Sequence, residues 1–321
     1  MALFKHRSTP VEAELTPEES VLPLLPPPAK DGVRDFWQHW DFLLGMVPSL
    51  AEFGVPVLDS VGLTLNESIL AVTDLGPVKA GEVVIDKGTK VIPRLLPLLT
   101  GMGISKVMAR PSPRVIVAAL TTEAGPASYL AAGLAQAAGA QAHRLEFVFT
   151  DEADLVGAIT EQLVRADLVV TVGGLGEPGL DLTAIAHQIG PHDFTPVAVS
   201  PGRDHGFILA EEKVPLLALP GDVYGTFVLA KLLLEPMIGK LMGAAADPDL
   251  FGTLLAQPLR IAPNTLTCVP ATIEGGHMTI TGRPTGLAGM YDIYRADALA
   301  VLASEDGFLA AESEAFYLPL G

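Results

Sequence analysis

Two periods of apolar residues alternate along this chain. Leu168-Val169-Val170-Thr171-Val172 is an unbroken β-branched run between Asp167 and Gly173, the pattern of a parallel strand covered on both faces. Pro113 to Leu120, Arg144 to Phe149 and Pro196 to Val199 read as further strands. Between them the spacing turns helical. Ser128 to Gly139 is an alanine-rich helix ending in glycine. Ala153 to Arg165 follows with Asp151 as its cap, and Asp181 caps a short helix over Leu182 to Gly190. This β-α-β-α-β-α order predicts a largely parallel sheet with right-handed crossovers.

The flanks read differently. Residues 1 to about 30 mix Glu, Pro, Ser and Thr and close on Pro26-Pro27-Pro28, the composition of a flexible arm. Asp35 to Glu52 carries Phe36, Trp37, Trp40, Phe42, Leu43 and Leu44 near helical spacing, and Arg94 to Gly103 is a second helix-like run. Phe207 to Glu211 and Val214 to Leu219 form a hairpin pattern. A long helix from about Tyr224 to Gly243 is expected to bend at Pro236. Residues 244–249 read as a linker, and from about 250 to 321 short β-like runs alternate with Gly and Pro and contain no helix of length. The division expected is an arm over 1–30, a helical and linker segment over 31–87, an α/β unit over 88–245 and a β unit over 250–321.

Composition narrows the functions this fold can serve. At 321 residues the chain has ample core for about two domains. With 37 acidic against 20 basic residues the formal charge is −17, which argues against a general nucleic-acid or anionic-membrane surface. A single cysteine, Cys268, excludes an intrachain disulfide and suits a reducing, cytoplasmic setting. Its expected role is that of a buried small hydrophobe. No apolar window is long enough for a membrane span; Phe227 to Met242 comes nearest and is broken by Lys231, Glu235, Pro236 and Lys240.

Candidate chemistry gathers in three loops expected at the carboxyl end of the sheet: Gly173 to Asp181, Pro201 to His205, and Pro220 to Asp222. Each joins Gly or Pro to a carboxylate, and two feed a helix start, where exposed N–H groups suit a phosphate. A carboxylate beside a phosphate implies a bridging Mg²⁺; the plainer account is that Asp181 and Asp222 only cap helices. Gly174-x-Gly176-x-x-Gly179 is formally a dinucleotide fingerprint. It follows a late strand, no acidic residue stands twenty positions on, and Pro178 falls where the helix should run. An NAD-binding dehydrogenase is therefore a distant third reading.

Asp167-Leu168-Val169-Val170-Thr171-Val172-Gly173-Gly174, then Asp181, then Pro201-Gly202-Arg203, then Leu219-Pro220-Gly221-Asp222, resemble in order and spacing the molybdopterin molybdenumtransferase family, which includes the gephyrin E domain. The resemblance runs over roughly residues 88 to 321. It implies a three-layer, mostly parallel α/β fold of molybdopterin-binding type, a small C-terminal β-barrel and a helical N-terminal segment. It also implies a cytoplasmic homodimer that inserts molybdate into adenylylated molybdopterin with Mg²⁺. Carried over by motif, Glu123, Asp151 and Asp181 become catalytic carboxylates, with Asp181 and Glu123 also on the metal. Gly173, Gly174, Gly176, Arg203, Pro220, Gly221 and Asp222 become the pterin-binding set.

The chain also departs from that pattern. A β-rich domain that the family carries between roughly Ala71 and Gly88 is missing. The family's Thr-Gly-Asp-Glu stands here as Leu120-Thr121-Thr122-Glu123, and its loop serine is replaced within Gly176-Glu177-Pro178. Asp204 and Asp222 add negative charge beside an anionic ligand, while Arg203 keeps a cation suited to phosphate. Two expectations follow: a shortened transferase that binds molybdopterin, or a scaffold that keeps the fold and dimer, has lost the reaction and holds a protein partner.

Overall fold

The structure, a computed structural model, describes residues 22, 25–28, 31–147, 149, 151–176, 181–210, 214–282 and 286–320. Most of the expected arm, Glu177 to Leu180 of the glycine loop and the hairpin's Glu211 lie outside these residues.

A six-stranded mixed sheet forms the centre. Its strands run in the order Gln141–Glu146, Arg114–Ala119, Leu168–Val172, Pro215–Leu219, Gly206–Leu209, His192–Asp193. The first four are parallel and the last two join antiparallel. Leu168–Val172 is central, and all five of its residues are buried. Alternation along the strands splits the core in two. Val115, Val117, Leu168, Val170 and Leu217 face one apolar cluster, and Ile116, Val169 and Leu216 face the other.

Helices cover both clusters. Gly125–Ala137 lays Ala127, Ala131 and Ala135 on the first, four residues apart, and their small side chains let helix and sheet approach closely. Glu152–Leu163 buries Leu155, Ile159 and Leu163 in the second. It starts on Asp151, whose carboxylate accepts from the Asp154 N–H at 2.9 Å.

The long helix after the hairpin is continuous over Val223–Leu229, Ala230–Leu234 and Glu235–Met242, and its middle piece widens to π geometry just ahead of Pro236. Proline has no N–H for the carbonyl of Leu232, four residues back. Trp40 Nε1 donates to that carbonyl at 3.0 Å. The aromatic helix Phe36–Met46 is thus consumed by its own chain: Phe36, Trp40, Phe42 and Leu43 are buried in the first cluster. Of the N-terminal segment expected to be helical, this helix is the main realisation. Phe53–Pro56, Thr64–Leu65 and Lys106–Arg110 pair into a separate three-stranded sheet. Lys106–Arg110 stands apart from the central sheet, which begins at Arg114. Across the stretch from Ala71 to Gly88, where the resemblance implies a missing domain, the chain folds back so that Ile69–Leu70 pairs with Val83–Ile85.

Beyond residue 250, Phe251–Leu255, Leu266–Glu274, His277–Ile280, Ala298–Leu302 and Glu314–Pro319 close into a five-stranded barrel. The expectation of no helix of length here fails. Gly286–Arg295 is a ten-residue helix that buries Ile293 and packs on Val223–Leu229. Two glycines within a short apolar pattern hide it from periodicity. The barrel is stitched to the sheet through Val199–Ser200, which pairs with Leu266 and Thr267 just before the Pro201 loop. Among the described residues no helix is long and apolar enough to cross a membrane.

Candidate functional site

Four parallel strands end on one rung. Ala119 pairs with Glu146 on one side and Val172 on the other, and Leu219 pairs with Val172. The ladder continues one step further, with the Leu120 N–H on the Val172 carbonyl and the Gly173 N–H on that of Leu219, both at 3.0 Å. From this edge leave the segments that carry Asp151, Glu123, Asp181 and Asp222. Gly206 opposes Ala218 in the antiparallel pair, so the Pro201–His205 loop arrives at the same edge. The rim therefore collects every loop singled out in the sequence.

Backbone geometry explains the glycines. Gly173, Gly174 and Gly176 have φ of 85°, 72° and 68°, the left-handed region that disfavours side chains. A Cβ on Gly173 would also stand 2.9 Å from the Ala124 Cβ and 3.1 Å from the Thr121 hydroxyl. The glycine loop thus lies directly against the loop that bears Glu123.

The carboxylates have structural duties first. Asp181 Oδ1 accepts from Gly176 N at 3.1 Å, Thr183 N at 3.0 Å and Thr183 Oγ1 at 2.6 Å. The Thr183 hydroxyl, and then those N–H groups, hold its pKa below the ordinary carboxylate value against the cost of burial. Asp222 accepts from Gly225 N at 2.6 Å and caps the long helix. Its charge there is partly offset by the helix N-terminus. A Cβ on Gly225 would come within 2.6 Å of that carboxylate, so the glycine admits the tight cap. Glu123 and Asp151 are exposed, and Asp151 follows the edge strand, separated from the Asp181 loop by the strand that leads to Glu123. Arg203 is exposed beside Asp204, and Pro220 and Gly221 are half-buried.

Residues 124–240 match the family described as a probable molybdopterin binding domain. Over about half its length the chain is similar to molybdopterin molybdenumtransferases. It is 27% identical over 181 residues to molybdopterin molybdenumtransferase 1 of Mycobacterium tuberculosis (strain CDC 1551 / Oshkosh), a match covering 52% of this chain and 42% of that protein. To the molybdopterin molybdenumtransferase of Haemophilus influenzae it is 28% identical over 180 residues, covering 52% and 44%. The chain thus spans less than half the length of the curated relatives it matches. In fold it is similar to the molybdenum cofactor biosynthesis protein of Pyrococcus furiosus, with a TM-score of 0.70 at 20% identity, covering 89% of this chain and 98% of that one. The molybdopterin biosynthesis moeA protein of Pyrococcus horikoshii OT3 superposes with a TM-score of 0.72 at 14% identity, covering 89% and 99%.

The resemblance in sequence raises the question of a magnesium site. Among the described residues no three His, Cys, Asp or Glu side chains gather closely enough to hold a metal ion. Asp181 spends Oδ1 on three donors, and Oδ2 has no hydrogen bond among the described residues. Magnesium is commonly held by one or two carboxylates together with substrate phosphates. This donor set fits a cation that arrives with a phosphate, not a closed protein cage.

Several further groups near the rim carry no local signal in the sequence. Arg144 lies at the start of helix Gly125–Ala137, donating to Ser128 Oγ at 2.7 Å and to Glu146 at 2.5 Å, with its guanidinium 3.9 Å over the Tyr129 ring. It adds a second cation near the rim. Arg34, His39, Asp193 and His205 form a buried polar cluster behind the Pro201 loop. Sequence separations above 150 residues left no spacing signal for that cluster. Thr171, buried under the glycine loop between Ala118 and Ala218, has a hydroxyl with no partner among the described residues. A cleft of about 720 Å³ lies off the rim, between Ser200-Pro201 and barrel residues that include Arg260, Thr267 and Met278. Cys268 is fully buried, and burial pushes its thiol pKa far up, as expected of an inert packing residue.

Proposed function

We propose that this chain acts in molybdenum cofactor biosynthesis, binding molybdopterin or its adenylate at the carboxyl rim of the central sheet. The observation that carries the reading is the single rung of Glu146, Ala119, Val172 and Leu219, from which the Asp151, Glu123, Asp181 and Asp222 segments all leave. Ligands of open α/β sheets bind in this position. In the working form, the left-handed glycines let the ligand approach the backbone and Arg203 meets the pterin phosphate. Asp181 and Glu123 would hold a magnesium ion together with the ligand phosphate, and Glu123, Asp151 and Asp181 would form the acid/base set. The bound cation would supply charge neutralisation for molybdate insertion and release of AMP. The assembly proposed is a cytoplasmic homodimer. That assembly rests on the resemblance alone.

A second reading is favoured by a specific observation. The Asp151, Asp181 and Asp222 carboxylates are all engaged as helix caps, and Asp204 adds charge beside Arg203. On this reading the fold persists as a scaffold for a protein partner. Isothermal titration with molybdopterin adenylate, in Mg²⁺ and in chelator, separates the two. Magnesium-dependent heat supports the enzyme reading, and no heat in Mg²⁺ sinks it.

A further inference from the structure

The Arg34 side chain is fully buried, and four of its five N–H donors have acceptors among the described residues. Its guanidinium donates to the Asp193 carboxylate, to the Pro26 carbonyl from Nε at 2.9 Å, and to His39 Nδ1 at 3.1 Å. Arginine has no lone pair to accept with, so this last contact fixes the direction of the whole chain that follows. His39 Nδ1 is the acceptor, and its neutral ring carries the proton on Nε2. That proton points at His205 Nε2, 3.0 Å away. His205 Nε2 is therefore an acceptor too, and the remaining proton on Nδ1 is donated to the Gly202 carbonyl at 2.8 Å. Both imidazoles are neutral, each in one tautomer. Burial independently favours that state, lowering His39 well below its ordinary value and His205 to about 4.

The end of this chain is the loop that carries Arg203. Gly202, at φ 106°, is pressed against the helix, where a Cβ would stand 2.7 Å from Leu229 Cγ. The Arg203 carbonyl accepts from Val197 N at 3.1 Å, and Ala198 N donates to the Arg34 carbonyl at 2.8 Å. The turn is thus gripped on one side by backbone and on the other by His205.

We propose that Arg34, His39 and His205 form a one-way hydrogen-bond relay that sets the Gly202–Arg203 turn, making His205 a positioning residue for phosphate recognition by Arg203. The relay stands on the free protein; the ligand half rests on the molybdopterin reading above. Arg34 is anchored by Asp193, His39 passes the orientation on, and His205 delivers it to the carbonyl next to Arg203. Arg203 is exposed and long, so the direction of its backbone decides whether its guanidinium arrives at the rim.

Two conservative variants divide the relay. His205→Asn keeps a donor near the Nδ1 position for the Gly202 carbonyl but no acceptor for His39. His205→Gln keeps an acceptor for His39 but loses the donor to Gly202. On the full-length wild type, long-range proton–nitrogen spectra of the imidazoles at pH 7 should show His39 protonated on Nε2 and His205 on Nδ1. Any other tautomer, or a doubly protonated ring, overturns the relay. Amide exchange at Val197 should accelerate about tenfold in His205→Gln, as for loss of one hydrogen bond, and stay near wild type in His205→Asn; equal exchange in wild type and His205→Gln overturns the positioning role. With molybdopterin adenylate as probe, Kd should rise about tenfold in His205→Gln and recover to within about threefold in His205→Asn. Unchanged affinity in His205→Gln overturns the ligand half. No binding by wild type overturns it together with the molybdopterin reading, while the ring spectra and Val197 exchange still decide the relay. If His205→Gln fails to fold, the wild-type spectra and the Asn variant carry the decision.

Discussion

Mild acid should destabilise this protein through two histidines. In the native state His205 is held neutral down to about pH 4, whereas an unfolded imidazole titrates near 6.5. Burial is the main cause, and Arg34 adds to it. The Gly202 carbonyl, Asp193 and Asp204 pull the other way and lose. His39 is lowered in the same direction, by burial first, then by His205 and Arg34. A depressed folded pKa contributes stability that is complete above the unfolded pKa and is lost as pH falls toward the folded one. The window therefore runs from about 6.5 down to about 4. Each fully uncompensated proton costs about 1.4 kcal/mol per pH unit, so His205 alone removes about 2 kcal/mol between pH 7 and pH 5. His39 adds to this loss. Against a typical total of about 5–15 kcal/mol, that is a large fraction.

Other groups titrate nearby and must be separated. His277 is raised by its bond to Glu312, 3.1 Å away, and so acts in the opposite sense. It is fully exposed, and screening keeps its effect small. Glu235 and Asp41 are raised by burial and also oppose the histidines. The comparison is therefore between wild type and the His39→Gln, His205→Asn double variant, by urea unfolding at pH 7 and pH 5. The double variant starts less stable but should lose much less on acidification. If wild-type stability is flat between those pH values, or falls by the same amount in the double variant, the neutral-pair account is wrong.

Three further outcomes follow from single contacts. Trp40→Phe keeps a buried ring but strips the donor from the Leu232 carbonyl that Pro236 cannot serve, so unfolding free energy should fall by about 1–3 kcal/mol; wild-type stability in urea would show that the π-helical turn serves that carbonyl without help. Thr171→Val removes a buried hydroxyl with no partner among the described residues, and should leave stability unchanged or raise it by about 1 kcal/mol, read as a shift in Tm. Asp181→Ala should cost only about 1–2 kcal/mol as a lost cap, yet abolish the titration heat with molybdopterin adenylate. A variant that binds as wild type does removes Asp181 from the site.

What the sequence reveals and what it hides divide along a physical line. Leu168 to Val172 is legible because a strand buried on both faces must be apolar throughout, and Asp151, Asp181 and Asp222 are legible because caps are local contacts spanning two or three residues. The barrel's Gly286–Arg295 helix is obscured because one buried stripe with Ile293, diluted by two glycines, looks like loop. The helix that carries Trp37 and Trp40 is legible from its spacing, but the reason for Trp40 lies almost two hundred residues away, in a carbonyl that a proline abandons. The same holds for Arg34, His39, Asp193 and His205. Each is an ordinary residue in its own neighbourhood, and only folding makes an arginine that cannot accept a hydrogen bond dictate the tautomer of two histidines. Local rules therefore reach the rim and its carboxylates. The element that fixes the direction of Arg203 is non-local, and it becomes readable only when the donors and acceptors are followed in space from the buried guanidinium to the Gly202 carbonyl.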